Sequence, residues 1–377
     1  MPEQQRNDIS GKVPNNTDFN NHSADDNPLK KLAIDKDKDY IAIPIDSLRI
    51  DTVTEFDIYL QNQQSGKYVL YRRGDLPFNE EHRTKLNQSR VKAIHIDAAD
   101  RFRYLRYLEN NLGEIIDDDR LSNLERSKIV YDCATHLAQE IFEKPWIKKS
   151  LKRAHGIVNN TVTHLLKNPA HLTSLINLMS ADYRVYSHSV NVCVYGIALG
   201  QSVGLDTWEL RELGAGLLMH DLGKSEIDPN ILRKGDRLTE EEWKILQTHP
   251  RLGVDILKRF PDPKPSTIDI IHQHHENCAG TGYPHGLKAE RIHPYAKITS
   301  LVDTFDNLTT NKSYRKALNS FAAIRLMQDQ MQHYFSPDLL KTLVVRLSEE
   351  GSKNFVIDPS SDHLRKSLKL PARRRIA

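Results

Sequence analysis

The spacing of apolar positions changes character near residue 100. Between Tyr40 and Asp100 the apolar residues fall in short β-branched and aromatic runs, YIAIPI, FDIYL, KYVLY and VKAIHI, separated by polar stretches, which predicts strands. Ser65-Gly66 supplies a turn between the second and third runs, and the polar segment from Asn79 to Gln88 predicts a helix. Beyond Arg101 the period is helical. Leu124, Cys133, Leu137 and Ile141 recur at helical spacing until Pro145, and Trp146 to Lys167 predicts another helix ahead of Pro169. Successive helices with short loops follow to residue 350, one of them opened by a capping-box pattern at Thr239 and Glu242 ahead of His249. The expected fold class is mainly α, an all-helical domain at 146–350 preceded by a small α/β domain at 38–100. Residues 101–145 are a helical connector or the first helix of the larger domain, and no internal repeat is present.

Composition changes this picture at the two ends. Met1 to Asp37 is rich in Asn, Asp, Gln and Ser and has too little apolar surface to offset the entropy of ordering it, so 1–37 is expected to be a disordered leader. The formal net charge of +3 is set by the basic tail at 351–377, where six Lys and Arg follow Leu364 without an acid. The run Arg373–Arg375 in that tail is expected to be solvated. A nearly neutral body argues against a nucleic-acid surface spread over the chain. Cys133, Cys193 and Cys278 are too few and too scattered for a disulfide framework and suit a reducing compartment. No stretch approaches the roughly 18 apolar residues of a membrane span, and the opening MPEQQRNDIS lacks the apolar core of a signal peptide. A cytoplasmic protein without a transmembrane segment is expected.

Histidine is the informative residue, with eight of the 17 lying between His188 and His293. HDLGK, His220 to Lys224, leaves an apolar helix carrying Leu210, Leu213, Leu217 and Leu218. Neutral imidazole and ionised carboxylate suit a first-row divalent metal, and a lysine point charge suits a phosphoryl oxygen. Alone, the pair reads more simply as an ordinary helix end. His188 in YSHSVNV and His249 in THPRLG likewise read as metal ligands or as satisfied histidines of a core or a helix terminus. His274-His275-Glu276 is stronger. Adjacent histidines point about 100° apart on a helix, so they share a centre only where two ions, or an ion and a substrate, lie beside them. GTGYPHGL follows at once: Gly280, Gly282 and Gly286 permit close backbone approach or positive φ, Pro284 stiffens the loop, and Tyr283 offers a stacking face. Asp303, in ITSLVDTFDNLT on a strongly apolar helix, is costly to bury unless a cation or hydrogen bonds meet it. Pairing with a downstream base is the alternative. Lys312, Arg315 and Lys316 follow, either as a solvated face or as a place to hold a dianion.

In their order along the chain, HSVNV, HDLGK, HP followed by LG, HHE, GTGYP with GL, and VDTFDNLT leading to SYRKAL resemble the motifs of the HD-GYP phosphodiesterases. These are a branch of the HD-domain phosphohydrolases that cleaves the bacterial second messenger cyclic di-GMP. The resemblance covers residues 150–345 and implies an HD-type catalytic domain. The amino-terminal domain looks like the small module that often precedes it. For the site, the resemblance implies metal ligation by His188, His220, Asp221, His249, His274, His275 and Asp303, with Asp221 shared between two ions. It implies a phosphate contact for Lys224, a nucleotide pocket shaped by Gly282, Tyr283 and Pro284, and guanine and phosphate contacts for Lys312 and Arg315. The sequence departs from the family at four places: Lys312 stands where Arg is commoner, Ser313 where Pro commonly follows, and Ala279 where the family has Asp. At the fourth, Arg184 replaces a glutamate that supplies a third metal in some members, so two ions are expected.

Two divalent ions roughly 3.5–4 Å apart would share and acidify a bridging water and present hydroxide in line with the phosphorus. Lys224 would offset charge on the phosphoryl oxygens. Iron or manganese is expected, because a His-rich site with carboxylates selects weakly among such metals. The expected activity is hydrolysis of cyclic di-GMP to linear pGpG, GMP or both, with Asp221 and Lys224 catalytic. Ala279 and Ser313 motivate an alternative, a weak or inactive cyclic di-GMP receptor that signals through the amino-terminal domain and a protein partner there. A hydrolase of another nucleotide is the third reading.

Overall fold

The computed structural model describes residues 39–91, 93–145, 148–179, 184–312, 315–347 and 361–370. The expected leader at 1–37, Ser313 and Arg373–Arg375 lie outside the described residues. The chain divides into two compact units, one ending at Arg101 and one beginning at Phe102.

The smaller unit contains strands β1 (Tyr40–Ile43), β2 (Thr52–Val53), β3 (Ile58–Gln61), β4 (Tyr68–Arg72), β5 (Pro77–Phe78) and β6 (Ile94–Asp97), with helix α1 (Glu80–Gln88). The four strands that the β-branched and aromatic runs predict form one antiparallel sheet in the order β1-β6-β3-β4. β2 and β5 pair separately; two-residue strands are too short to carry a period, so the sequence pattern does not announce them. Between β3 and β4, the Asn62 side chain accepts from the N–H groups of Gln64 and Ser65 at 3.0 Å, and Gly66 takes the positive φ of the turn. α1 begins where Asn79 and His82 cap each other reciprocally. Leu48, Phe56, Ile58, Phe78, Ile94 and Ile96 form its core.

In the larger unit α2 (Arg101–Asn110), α3 (Leu112–Ile116) and α4 (Asn123–Glu143) fill the stretch that the sequence leaves open, and from Phe102 onward they pack with the helices that follow. Cys133, Leu137 and Ile141 lie on the buried face of α4, but Leu124 is 54% exposed. It stands nine residues before Cys133, about 180° around the helix. α5 (Lys148–Lys167), α6 (Pro169–Leu178) and α7 (Val185–Ser202) pack on α4, and α8 (Thr207–Met219) packs on α5 and α7. α7 is buried on all sides from Ser187 to Gly200, which explains its lack of a polar face. Then come α9 (Pro229–Leu232), α10 (Glu240–Leu246), α11 (His249–Leu257), α12 (Pro265–Gln273), α13 (Pro294–Thr309), α14 (Ser320–Gln330), α15 (Pro337–Leu347) and α16 (Ser361–Ser367). No helix among the described residues is long and apolar enough to cross a membrane.

Two polar arrangements support these helices. Glu209, in a capping box with Asp206 at the start of α8, also receives both ends of the Arg365 guanidinium at 2.8 Å, and Arg365 donates to the Gly204 carbonyl at 2.9 Å. Composition counts Arg365 with a basic tail, yet it is buried because Glu209 awaits it. Arg365→Met leaves that carboxylate buried without its partner, and chemical denaturation should show a loss of about 3–5 kcal/mol. The second is His164, fully buried, its ring stacked 3.9 Å from that of His171 and its Nε2 2.9 Å from Ser127 Oγ. Burial lowers its pKa from 6.5 to about 3. The neutral ring therefore contributes stability above pH 6.5 that is lost as pH falls toward 3. His164→Gln should be less stable than the parent at neutral pH but lose less on acidification, read from urea midpoints at pH 7 and about pH 5.

Candidate metal centre

Helix ends bring the candidate ligands together. His188 lies in the first turn of α7, His220 caps the end of α8 with Asp221 next, and His249 opens α11. His274 caps the end of α12, His275 follows it, and Asp303 sits within α13. Their donor atoms form two groups, each with its atoms within 4.8 Å of one another: Asp221, His249, His274 and His275, and His188, His220 and Asp303. Asp221 lies where the groups meet. Its Oδ1 is 3.3 Å from His249 Nε2 and 3.7 Å from His274 Nε2. Its Oδ2 is 3.5 Å from His220 Nε2, 3.7 Å from His188 Nε2 and 2.5 Å from Lys224 Nζ. His274 and His275 share a group despite the divergence expected of helical neighbours, because α12 stops at Gln273 and the pair lies on the turn beyond it, ring centroids 4.1 Å apart.

Three histidines are oriented by their own backbone. Nδ1 of His220, His249 and His274 donates to the carbonyl three residues earlier, Leu217 at 2.7 Å, Leu246 at 2.7 Å and Ile271 at 2.8 Å. These carbonyls belong to last helical turns, where partners are missing. With the proton on Nδ1, Nε2 keeps its lone pair for the centre. His249 Nε2 and His274 Nε2 then face each other at 3.1 Å, and His220 Nε2 is buried without a hydrogen-bond partner. Facing lone pairs and an orphaned buried nitrogen are costly alone and favourable around a cation, so the residues fit metal ions. His188 is held differently. Its Nδ1 meets Asp306 Oδ2 at 2.6 Å, Asn191 Nδ2 donates to Asp306 Oδ1 at 3.0 Å, and the Tyr131 hydroxyl donates to Asn191 Oδ1 at 3.0 Å.

The electrostatics agree with that donor set. Burial lowers the His220 pKa to about 3 and depresses His249 and His275 as well. At His188 burial opposes the charge, but Asp303 and Asp306 outweigh it and hold the pKa at about 9. Burial also opposes ionisation of Asp221 and Asp303, yet Lys224 and His220 keep the former, and His188 the latter, below the ordinary carboxylate range. A proton and a metal ion would compete for His188 Nε2.

The backbone crosses itself closely here. A Cβ on Gly223 would lie 1.9 Å from the His249 carbonyl oxygen and 2.5 Å from Gly253 N, so glycine alone lets the HDLGK turn pass α11. A Cβ on Gly282 would lie 2.4 Å from the His275 carbonyl oxygen. The loop containing Gly282 is organised by Glu276, buried, whose carboxylate accepts from His285 N at 2.7 Å and Leu287 N at 2.8 Å. Ala279 is exposed and bridges in backbone to Lys288, so the order of the loop does not depend on an acid at that position.

Beside the histidines opens a cavity of about 730 Å³, lined in part by Lys224, His249, His275, Tyr283, Lys312 and Arg315. Gly282 and Pro284 are not among its lining residues; they shape the loop behind Tyr283, whose ring stacks on His275 at 4.6 Å. Lys312 Nζ donates to Asn307 Oδ1 at 2.8 Å, and Asn307 Nδ2 donates to Asp303 Oδ1 at 2.7 Å. Burial, then repulsion by Lys224, lowers the Lys312 pKa to about 7. Arg315 bonds the carbonyls of Leu308, at 3.0 Å, and Asn307 at the end of α13. Sequence reasoning passes over Asp306, Asn191, Tyr131, Asn307 and the role of Glu276. Asp306 carries a signal nonetheless: it stands one turn after Asp303 on the same apolar helix, where the same cost of burial applies.

Comparison with known proteins agrees with this geometry. Residues 157–339 match the family model described as HD domain. An HDG"Y"P protein from Bdellovibrio bacteriovorus superposes with a TM-score of 0.57 at 25% identity, covering 81% of this chain and 98% of that one. Together with HDLGK and GTGYP, this likeness gives the larger unit an HD-type fold similar to that of the HD-GYP proteins. A cyclic di-GMP phosphodiesterase of Pseudomonas aeruginosa is 32% identical over 206 residues, 54% of this chain and 50% of the relative. A 3′3′-cGAMP-specific phosphodiesterase of Vibrio cholerae is 29% identical over 46% of this chain and 38% of its own length. The chain spans about half the length of the first curated relatives it matches. Because Asp306 orients His188, Asp306→Asn should weaken metal binding by roughly 10- to 100-fold with every candidate ligand retained, measured by chelator competition.

Proposed function

We propose that the protein hydrolyses cyclic di-GMP in a metal-dependent reaction, giving linear pGpG, GMP or both. The observation that carries this reading is Asp221, a buried carboxylate with one oxygen toward each of two ligand groups and an ion pair to Lys224, which lines a cationic cavity. The names of the matched relatives, phosphodiesterases of cyclic di-GMP and of 3′3′-cGAMP, support it. Two divalent ions on this donor set, iron or manganese, supply Lewis-acid polarisation of a phosphoryl oxygen and a water acidified for attack on phosphorus. His188, His220 and Asp303 hold one, His249, His274 and His275 the other, and Asp221 serves both. Arg184, at the start of α7, adds no carboxylate for a third.

The remaining residues bind and orient. Lys224, which reaches both Asp221 and the cavity, meets a phosphoryl oxygen as negative charge builds. Tyr283, held over His275, offers its face to a base, with Gly282 and Pro284 setting the loop. Lys312 and Arg315 contact guanine and phosphate. Arg315 is preorganised by its bonds to the end of α13, so little freedom is lost when a ligand arrives. The two loop N–H groups bound by Glu276 support the enzyme over the receptor reading that Ala279 and Ser313 motivate, because they order the loop with alanine at 279.

Protein loaded with iron or manganese should convert cyclic di-GMP to linear product, whereas the His220→Ala, Asp221→Ala double variant should fall to background. Equal turnover in the two would overturn the site assignment. Elemental analysis should find about two ions per chain, and about three would contradict the two-metal reading.

A further inference from the structure

The cavity has a second set of lining residues that takes no part in the metal centre: Arg233, Asp236, Arg237 and Leu238 between α9 and α10, and Trp243 on α10. The segment is anchored. Lys234 Nζ ion-pairs with both oxygens of Glu242, at 2.7 and 2.6 Å, and Glu242 completes the cap with Thr239 at the start of α10. The charge of Lys234 is thus committed to holding the segment in place, while Arg233, Asp236 and Arg237 remain exposed at the cavity. Trp243 is 46% exposed, with its ring 6.3 Å from that of Tyr283 in an edge-to-face arrangement.

Asp236 is the one carboxylate among the described residues lining this otherwise cationic cavity. A wall made for phosphate alone gains nothing from it, since like charges at close range repel. Guanine accounts for it. The N1–H and N2–H2 donors of that base match a carboxylate, its O6 and N7 acceptors match arginine, and its face suits a tryptophan. Adenine presents an acceptor at N1 and lacks the 2-amino group, so it would leave the carboxylate facing a lone pair.

Resting on the reading of the site as one for cyclic dinucleotides, we propose that Asp236, Arg237 and Trp243 form a guanine-selecting subsite. It would receive a base of the substrate while the scissile phosphate lies at the metal centre. Trp243 stacks on the base, Asp236 accepts from its N1–H and N2–H2 groups, and Arg237 donates to O6 and N7.

The test titrates hydrolysis-resistant phosphorothioate analogues of cyclic di-GMP and cyclic di-AMP into the metal-loaded full chain, beside Asp236→Ala and Trp243→Ala. The parent should favour the guanine analogue by roughly tenfold or more. Asp236→Ala should remove that preference by weakening the guanine analogue alone, and Trp243→Ala should weaken both by roughly fivefold or more. A parent without preference, an Asp236→Ala variant that keeps it, or a Trp243→Ala variant that binds as the parent does would overturn the subsite. Turnover of cyclic di-GMP by the same parent sample separates the two readings. Turnover with the preference intact in Asp236→Ala removes the subsite and leaves the phosphodiesterase, whereas an Asp236-dependent preference without turnover does the reverse. Failure to bind either analogue overturns both.

Discussion

The larger unit is arranged around a carboxylate that must stay ionised where almost no water reaches it. Asp221 is 1% exposed, and an isolated charge at such a depth costs far more than a folded domain can spare. Its charge is met by Lys224 one turn on and by His188 from α7, while His220 beside it, His249 from α11 and His274 from the end of α12 aim Nε2 lone pairs at the same place and complete a donor set that suits a cation. Each of these side chains reaches Asp221 only if its element is placed correctly, so one carboxylate ties the HDLGK turn to α7, α11 and α12. The same depth makes every interaction there stronger than it would be in water, including any with bound metal ions.

Helix ends, more than helix faces, build this centre. Carbonyls of a last turn lack intrahelical partners, and His220, His249 and His274 use those carbonyls to fix their rings and tautomers. No extra side chains are needed to orient them, which is economical in a crowded interior. It also explains why Gly223 is required: bringing the end of α8 against the start of α11 places backbone against backbone, with no room for a Cβ. His188 lies in the first turn of α7, where no preceding helical turn offers a carbonyl, and its orientation falls to Asp306, Asn191 and Tyr131.

This division decides what can be read from the sequence. β-branched and aromatic runs, helical period and capping signals are local, so the four-stranded sheet, α1, the cap before α10 and the apolar surroundings of HDLGK are legible. The seven ligand candidates are legible by residue type, and their order along the chain carries the family resemblance. The chain from His188 through Asp306 and Asn191 to Tyr131 is not, because it joins α7, α13 and α4 across more than a hundred residues of sequence. The burial of Arg365 is hidden for the same reason, since Glu209 lies 156 residues away. Leu124 misleads because an apolar residue at approximate helical spacing can still fall on the opposite side of the helix. His274 and His275 share one group because the helix stops between them and their predecessors, and an end point shifted by one residue changes that geometry entirely.

The two halves of the site differ in the physical means that hold them. The ligand candidates are mostly buried and locked by backbone carbonyls or carboxylates, so a change at any one disturbs its neighbours. On the cavity side, Glu276 binds the Tyr283 loop through two backbone N–H groups and Arg315 is fastened to the end of α13, but the segment from Arg233 to Leu238 is anchored chiefly through Lys234 and leaves its other polar side chains exposed. Exposed substitutions away from such anchors alter stability little. Side chains along that segment can therefore change while the buried centre keeps its geometry, and a departure such as Ala279 is absorbed because loop order rests on Glu276 and on the close packing of Gly282.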